Sequence, residues 1–320
     1  MKQLTFASAT YSAKKKTTKR ERFLADMDAV VPWAQMQALI EPHYPKTGPK
    51  GGRPPIGLNR MLRVWCLQQW FALSDPGMEE ALYDMESMRR FAGFELGEDA
   101  IPDETSILNF RRLLETHNLT EQMFALVRHL LEANGLLLKS GTLVDATLIA
   151  APPSTKNAEG KRDPEMTQTK NGNTWHFGVK IHVGADSKSG LIHTVRTTTA
   201  KVADCAEAEH LLHGEEEHVF GDRGYDYPRV HQAIERIGAL DGVAIRRTAG
   251  IPQTETEAQF NRVVAKIRSR VEHPFRVLKR QFGYIKVRYR GLAKNTSQIV
   301  GLFALINLYI ARRQLMPLGA

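Results

Sequence analysis

The apolar residues of this chain change period at Ser140, and that change restricts the fold more than any other feature. Over residues 58–139 they recur at helical spacing, through Leu62, Trp65, Cys66 and Trp70, then Leu108, Leu113 and Leu114, then Phe124, Val127, Leu130 and Leu131, with Gly and Pro between the segments. Each segment can bury one stripe, so this part reads as an all-helical domain. After Ser140 the run Thr142-Leu143-Val144-Asp145-Ala146-Thr147-Leu148-Ile149 is β-rich and apolar, as in a buried strand, with one aspartate inside it. Trp175, Phe177, Val179, Ile181 and Val183 then alternate with His176, Gly178, Lys180 and His182, which predicts a strand with one dry face. A turn over residues 185–190 brings residues 191–199 back as its hairpin partner.

A helix over 204–212, a strand over 218–222, a helix over 228–237, a strand over 242–246 and a final helical region complete the series. Strand, hairpin, helix, strand, helix, strand, helix is the order expected of an RNase H-like α/β fold. The predicted organisation is a basic arm, short amphipathic stretch and Pro/Gly linker over 1–57, an all-α DNA-binding domain over 58–139, and an RNase H-like mixed-sheet catalytic domain over 140–320. Residues 152–174 lack periodicity and are expected to form a mobile loop.

A net charge of +9 points to a polyanionic partner, and its distribution says more than its sum. Near the N-terminus Lys14, Lys15, Lys16, Lys19, Arg20 and Arg22 face Glu21 alone, either as a flexible phosphate-binding arm or as a solvated tail. Between Arg262 and Arg313 stand thirteen Lys and Arg residues and a single acid, Glu272. Pro102-Asp103-Glu104-Thr105-Ser106 opens an amphipathic helix bearing Arg111 and Arg112. A capped core helix is the commoner meaning of that signal, and a helix-turn-helix reader is the sharper one. The two cysteines, Cys66 and Cys205, lack a CxxC partner and suit a reducing cytoplasm. The N-terminus lacks a signal-peptide core, and the longest apolar run, 299–311, is shorter than the roughly twenty residues a membrane span needs. A soluble, cytoplasmic protein is expected.

Three acids lie where solubility would not place them. Asp145 interrupts an apolar strand, where a carboxylate is costly unless hydrogen-bonded or bound to metal. Asp222 ends a strand before Arg223-Gly224-Tyr225, where a turn-forming role competes with a ligand role. Glu272 lies within the basic segment beside a stripe of Ile267, Val271, Phe275, Leu278 and Phe282, and an ion pair with Arg268 or Arg276 competes for it. Pro274, read as interior to that helix, predicts a kink or a break beside Glu272. Trp175 and His176 open the central strand, where a base or phosphate contact is open to them, although core packing is the commoner fate of a tryptophan on the apolar face. Lys180 shares the polar face with His176, and Asp226 reads as a helix cap before Pro228. Over residues 284–292 aromatics interleave with Lys286, Arg288 and Arg290, as on a nucleic-acid surface or a solvated loop.

With these residues in view, the chain resembles the DDE transposases of bacterial insertion sequences, specifically the group named after insertion sequence five. The family's three acids match Asp145 in Leu-Val-Asp-Ala-Thr, Asp222 in Phe-Gly-Asp-Arg-Gly-Tyr and Glu272 in Arg-Val-Glu-His-Pro-Phe. Related families place an arginine four residues before the third acid and a lysine seven after it, positions held here by Arg268 and Lys279; the tyrosine they place three residues before that arginine is Ala265. The stretch from Gly52-Arg53-Pro54-Pro55 to Thr105-Ser106-Ile107-Leu108-Asn109-Phe110-Arg111 also looks like this group's N-terminal domain, which implies recognition of element ends. The resemblance implies double-stranded DNA as partner and a homodimer or larger assembly on paired ends. Electrostatics agrees on the chemistry: carboxylates about 4 Å apart repel by several kcal/mol per pair at an effective dielectric near 20, so three together call for cations. Hard oxygens select Mg²⁺ or Mn²⁺, two ions bracketing a phosphate, with Arg268, Arg276 and Lys279 holding neighbouring phosphates or simply lining a solvated face. Two rivals stay open: a nuclease of the same fold that never joins ends, and a DNA-binding regulator that has lost catalysis.

Overall fold

In the computed structural model, residues 11, 13–47, 54–156, 158, 160–248 and 250–316 are described. Gly52 and Arg53 of the resemblance lie outside them. Among the described residues, seven α-helices precede the first strand: α1 (Lys19–Val30), α2 (Trp33–Ile40), α3 (Leu58–Trp70), α4 (Asp75–Asp84), α5 (Glu86–Ala92), α6 (Glu104–Thr116) and α7 (Leu119–Ala133). Their starts follow local chemistry. Thr18 caps α1 in a capping box with Glu21, and Asp103 caps α6 by accepting the Ser106 N–H. The basic arm is therefore helical from Lys19 onward, because the Thr18 and Glu21 pair satisfies the first free N–H groups.

Among the described residues the sheet has six strands: β1 (Gly141–Ala150), β2 (Thr167–Asn171), β3 (Thr174–Asp186), β4 (Ile192–Thr199), β5 (His218–Gly221) and β6 (Leu240–Val243). Its order is β2-β3-β1-β5-β6, with β4 also on β3. The β1–β3 and β3–β4 pairs are antiparallel, whereas β1–β5 and β5–β6 are parallel. An antiparallel start followed by parallel strands reached through helical crossovers is the RNase H-like arrangement. Gly178 permits it locally, since a Cβ there would lie 2.0 Å from the Ile149 carbonyl oxygen. On its β5 side β1 is paired at Gly141–Leu143 and again only at Ala150, which bridges Lys286 and accepts the Val287 N–H at 2.8 Å.

The remaining helices are α8 (Asp204–Glu207), α9 (Pro228–Arg236), α10 (Glu255–Arg268), α11 (Glu272–Arg276) and α12 (Leu292–Leu315). The larger core is continuous from Leu24 in α1 through α3, α6 and α7 to Leu143, Val179, Ile181 and Val183 in the sheet and Phe303 in α12. A smaller core on the opposite face gathers Val144, Val219, Tyr225, Val230 and Val243. The 24-residue α12 packs against α7, α1 and β4 and so ties the helical layer to the sheet. Among the described residues no helix is long and apolar enough to cross a membrane.

Several expectations are corrected. The loop over 152–174 contains β2, an edge strand whose polar residues hide the alternation. The helix expected over 204–212 is the four-residue α8 followed by a 3₁₀ turn, Ala208–Leu211. The last strand is Leu240–Val243, because after it the Ile245 N–H turns to the Asn261 side chain at 2.8 Å. The break expected beside Glu272 is present, at 269–271, but Pro274 does not lie in a helix interior. Pro274 then stands in the first turn of α11, where its missing N–H costs nothing. Asp226 is not a cap: it accepts from the Arg246 N–H (2.6 Å) and bonds His231 (2.9 Å).

Asn307, fully buried in α12, completes the edge of β4 by accepting the Ile192 N–H (2.9 Å) and donating to the Ile192 carbonyl (2.7 Å). Asn307→Ala leaves both backbone groups buried without partners. It is expected to lower stability by about 2–4 kcal/mol, measured by urea unfolding, whereas a polar exchange at an exposed position of the same helix changes it little.

Candidate active site

Asp145 sits at the middle of β1, opposite Val183 of β3, with its side chain 18% exposed. Its Oδ1 accepts the Ala146 N–H at 2.8 Å. Its Oδ2 lies 3.2 Å from Nη2 of Arg268, and the same nitrogen stands 3.9 Å from Oδ2 of Asp222. One guanidinium nitrogen thus joins carboxylates from the neighbouring parallel strands β1 and β5. Asp222 is fixed from the other side by the Gly224 N–H, which donates to its Oδ1 at 2.6 Å. A Cβ on Gly224 would come within 2.7 Å of that oxygen, so a side chain there would displace the Asp222 carboxylate.

Arg268 occupies the last turn of α10, a helix started by the Thr254 and Glu257 capping box. Lys279 lies on the π-helical turn Val277–Gln281 and donates to Thr147 Oγ1 at 2.6 Å. Thr147 is two residues beyond Asp145 and therefore on the same face of β1. Sequence reasoning missed Thr147, and the signal available was this two-residue spacing from the acid. Tyr225, 1% exposed, lies under the site with its hydroxyl buried and unpartnered.

Burial pushes the Asp145 carboxyl up to about 6, opposed by the Arg268 cation and assisted by the charges of Asp222 and Asp204. Burial also raises the Tyr225 phenol, with the carboxylates around it adding to the effect, and lowers the Lys279 amine.

Glu272 is exposed at the first position of α11, four residues beyond Arg268. Among the described residues, no three His, Cys, Asp or Glu side chains come together closely enough to hold a metal ion. The geometry therefore gathers two of the three acids. Their fit to a hard cation is good: both Oδ2 atoms already converge on one positive centre, and Mg²⁺ is commonly held by one or two carboxylates with water completing its shell.

The other candidate residues divide into exposed and internally engaged groups. Lys15, Lys16, Arg112, Arg223, Arg276 and Arg288 are exposed, as is Arg290, while His176 is half-buried. Lys14 bonds the Glu21 carboxylate and lies over the Tyr11 ring. Arg111 is buried: its guanidinium stacks on Tyr289 at 3.8 Å and pairs with Asp75 and Glu115, each at 3.0 Å, so it knits the fold where a DNA reader was expected. Lys180 donates to the Val202 carbonyl (2.7 Å) and pairs with Asp204 (2.9 Å). Trp175, placed in the sequence reading on the apolar face, is 65% exposed because β3 continues past the end of β1 and no core element lies beneath it.

The RNase H-like sheet thus holds one carboxylate in mid-strand and one just past a strand end, both against one arginine. Residues 137–308 match the family described as Transposase DDE domain, and residues 11–113 match Transposase domain (DUF772). The first match spans more than half of the chain, which belongs to the DDE transposases of insertion sequences. Among solved structures, the chain is similar to one titled Mos1 transposase paired-end complex with left transposon end, at 12% identity over 73% of this chain and 82% of that one, with a TM-score of 0.20. The fold assignment stands on strand order and the family match, to which a superposition that loose adds nothing.

The raised carboxyl carries a stability consequence. Asp145 titrates higher in the folded chain than the roughly 3.9 of an unfolded aspartate, so ionising it opposes folding at pH values above about 4, with the full cost reached above about 6. Asp145→Asn removes that cost. Its unfolding midpoint is expected to exceed the wild type's at pH 7.5, with the difference vanishing as pH falls towards 4, followed by thermal denaturation across that range.

Proposed function

We propose that this transposase binds the terminal inverted repeats of its insertion sequence, cleaves DNA at the element ends and transfers the resulting 3′-hydroxyls to target DNA. The group named after insertion sequence five is the subfamily its motifs fit. The observation that carries the reading is the convergence of Asp145 and Asp222 on one nitrogen of Arg268. Glu272 is the third acid in this reading, on a helix separated from α10 by a three-residue break and free to turn inward. These acids would hold two Mg²⁺ or Mn²⁺ ions, which when bound activate the attacking hydroxyl and stabilise the leaving oxygen.

The chain's own residues do the rest. Arg268 keeps the paired carboxylates compatible and then turns its fork to the scissile phosphate. Lys279, anchored by Thr147 beside Asp145, supplies a fixed positive charge to the adjoining phosphate. Arg276 and Arg288 extend a basic track for the duplex. Assembly as a homodimer or larger complex on paired ends, in the bacterial cytoplasm, completes the proposal.

The test uses labelled element-end duplex, supercoiled target and Mg²⁺. Wild-type protein should release 3′-hydroxyl ends and join them, and Asp145→Asn, Asp222→Asn and Glu272→Gln should each lower cleavage by at least about a thousandfold while DNA affinity is kept. Cleavage without joining would identify a nuclease, and binding without cleavage a regulator. Mg²⁺ affinity should also rise with pH through about 6 as the metal-free Asp145 loses its proton, and an affinity flat across that range would contradict its role as a ligand.

A further inference from the structure

β1 ends at Ala150, where it pairs with Gly178 of β3. Phe177 still accepts the Ala151 N–H, and residues 174–176 run beyond that point and pair only with β2, so the β2–β3 hairpin projects past the body of the sheet. Its register places Lys170 directly across from Trp175. Lys170 is exposed with no ion-pair partner among the described residues, and Trp175 is 65% exposed.

Strand parity fixes which way this pair faces. Asp145 lies opposite Val183 and Ile149 opposite Val179, so Trp175, an even number of residues from both, belongs to the face that carries Asp145. Lys170, directly across from Trp175, shares that face. From Val183 to Trp175 is eight residues of strand, or about 26 Å at roughly 3.3 Å each, which equals about eight base pairs of duplex at 3.4 Å per step.

We infer that the β2–β3 hairpin is a second contact for duplex DNA, set about eight base pairs from the phosphate that reacts at Asp145, with Trp175 and Lys170 as its gripping pair. The inference rests on reading the Asp145 site as the cutting centre. Charge selects the occupant. On the segment leading into the hairpin, the half-buried Asp163 and the exposed Glu165 each accept a backbone N–H, from Gly291 and Leu292, while Lys156 and Lys170 are exposed. A two-stranded ribbon fits the major groove, and an indole supplies a flat apolar surface for sugar or base edges.

Full-length wild type, Trp175→Ala, Trp175→Phe and Lys170→Ala would be compared on a labelled duplex carrying one element end with its flank, by equilibrium binding and hydroxyl-radical footprinting. Trp175→Ala should bind about tenfold more weakly, and its footprint and that of Lys170→Ala should lose protection centred about eight base pairs from the cut. Trp175→Phe should restore both, and the position of the nick and the thermal midpoint should not change. Unchanged affinity and footprint in Trp175→Ala would overturn the inference. So would an intact footprint with altered sedimentation of the DNA-free protein, which would assign the face to a second copy of the chain. Failure of the parent reading is separate, since wild-type protein would then make no nick at all.

Discussion

Two carboxylates on adjoining parallel strands repel each other, and the guanidinium of Arg268 is what lets this chain hold them side by side. That contact sets the placement of much else. Arg268 must arrive from the last turn of α10, so the helix has to end at the site and not run past it, and the break at 269–271 follows. Asp222 must be fixed against the pull of the same guanidinium, which the Gly224 N–H achieves by donating to its other oxygen. Burial holds Asp145 high in its titration range even with the cation present, so the site retains an appetite for further positive charge.

The scaffold around this contact is one continuous packing unit on the Asp145 side. α12 lies against the first and seventh helices and the β4 edge, and Asn307 reads the Ile192 backbone as a neighbouring strand would. Arg111 adds a long-range tie, stacked on Tyr289 and neutralised by Asp75 and Glu115. The helical region and the sheet therefore meet through an apolar core and a polar joint, and a force on the helices is felt by the sheet through rigid neighbours.

How much of this could be read from residue order depends on the physical range of each signal. Asp145 was legible because a carboxylate in an apolar strand contradicts its surroundings, and the switch from period 3.6 to period 2 located the sheet. β2 was illegible because a strand at an edge, wetted on both faces, loses its alternation. The fate of Trp175 turned on where β1 stops, a property of a different strand. Arg111 and Arg112 look equivalent in sequence, and only the ring of Tyr289, distant along the chain, decides which one is buried. Pro274 was read as interior to a helix when it opens one, because a helix end created by tertiary contact leaves no mark beyond the proline itself. Glu272 stood out by charge alone, and charge does not say where a side chain points.

The interrupted pairing of β1 has a further meaning. Among the described residues, the strand is stitched to β5 at its beginning and to Lys286 at its end, and the stretch between, which carries Asp145 and Thr147, has no ladder partner on that side. It is a slit within the sheet, along whose lip the Ala146 N–H is given to the Asp145 carboxylate and not to a strand. A polymer laid across it would meet main chain as well as carboxylates, along a segment that β3 holds in register from the other side.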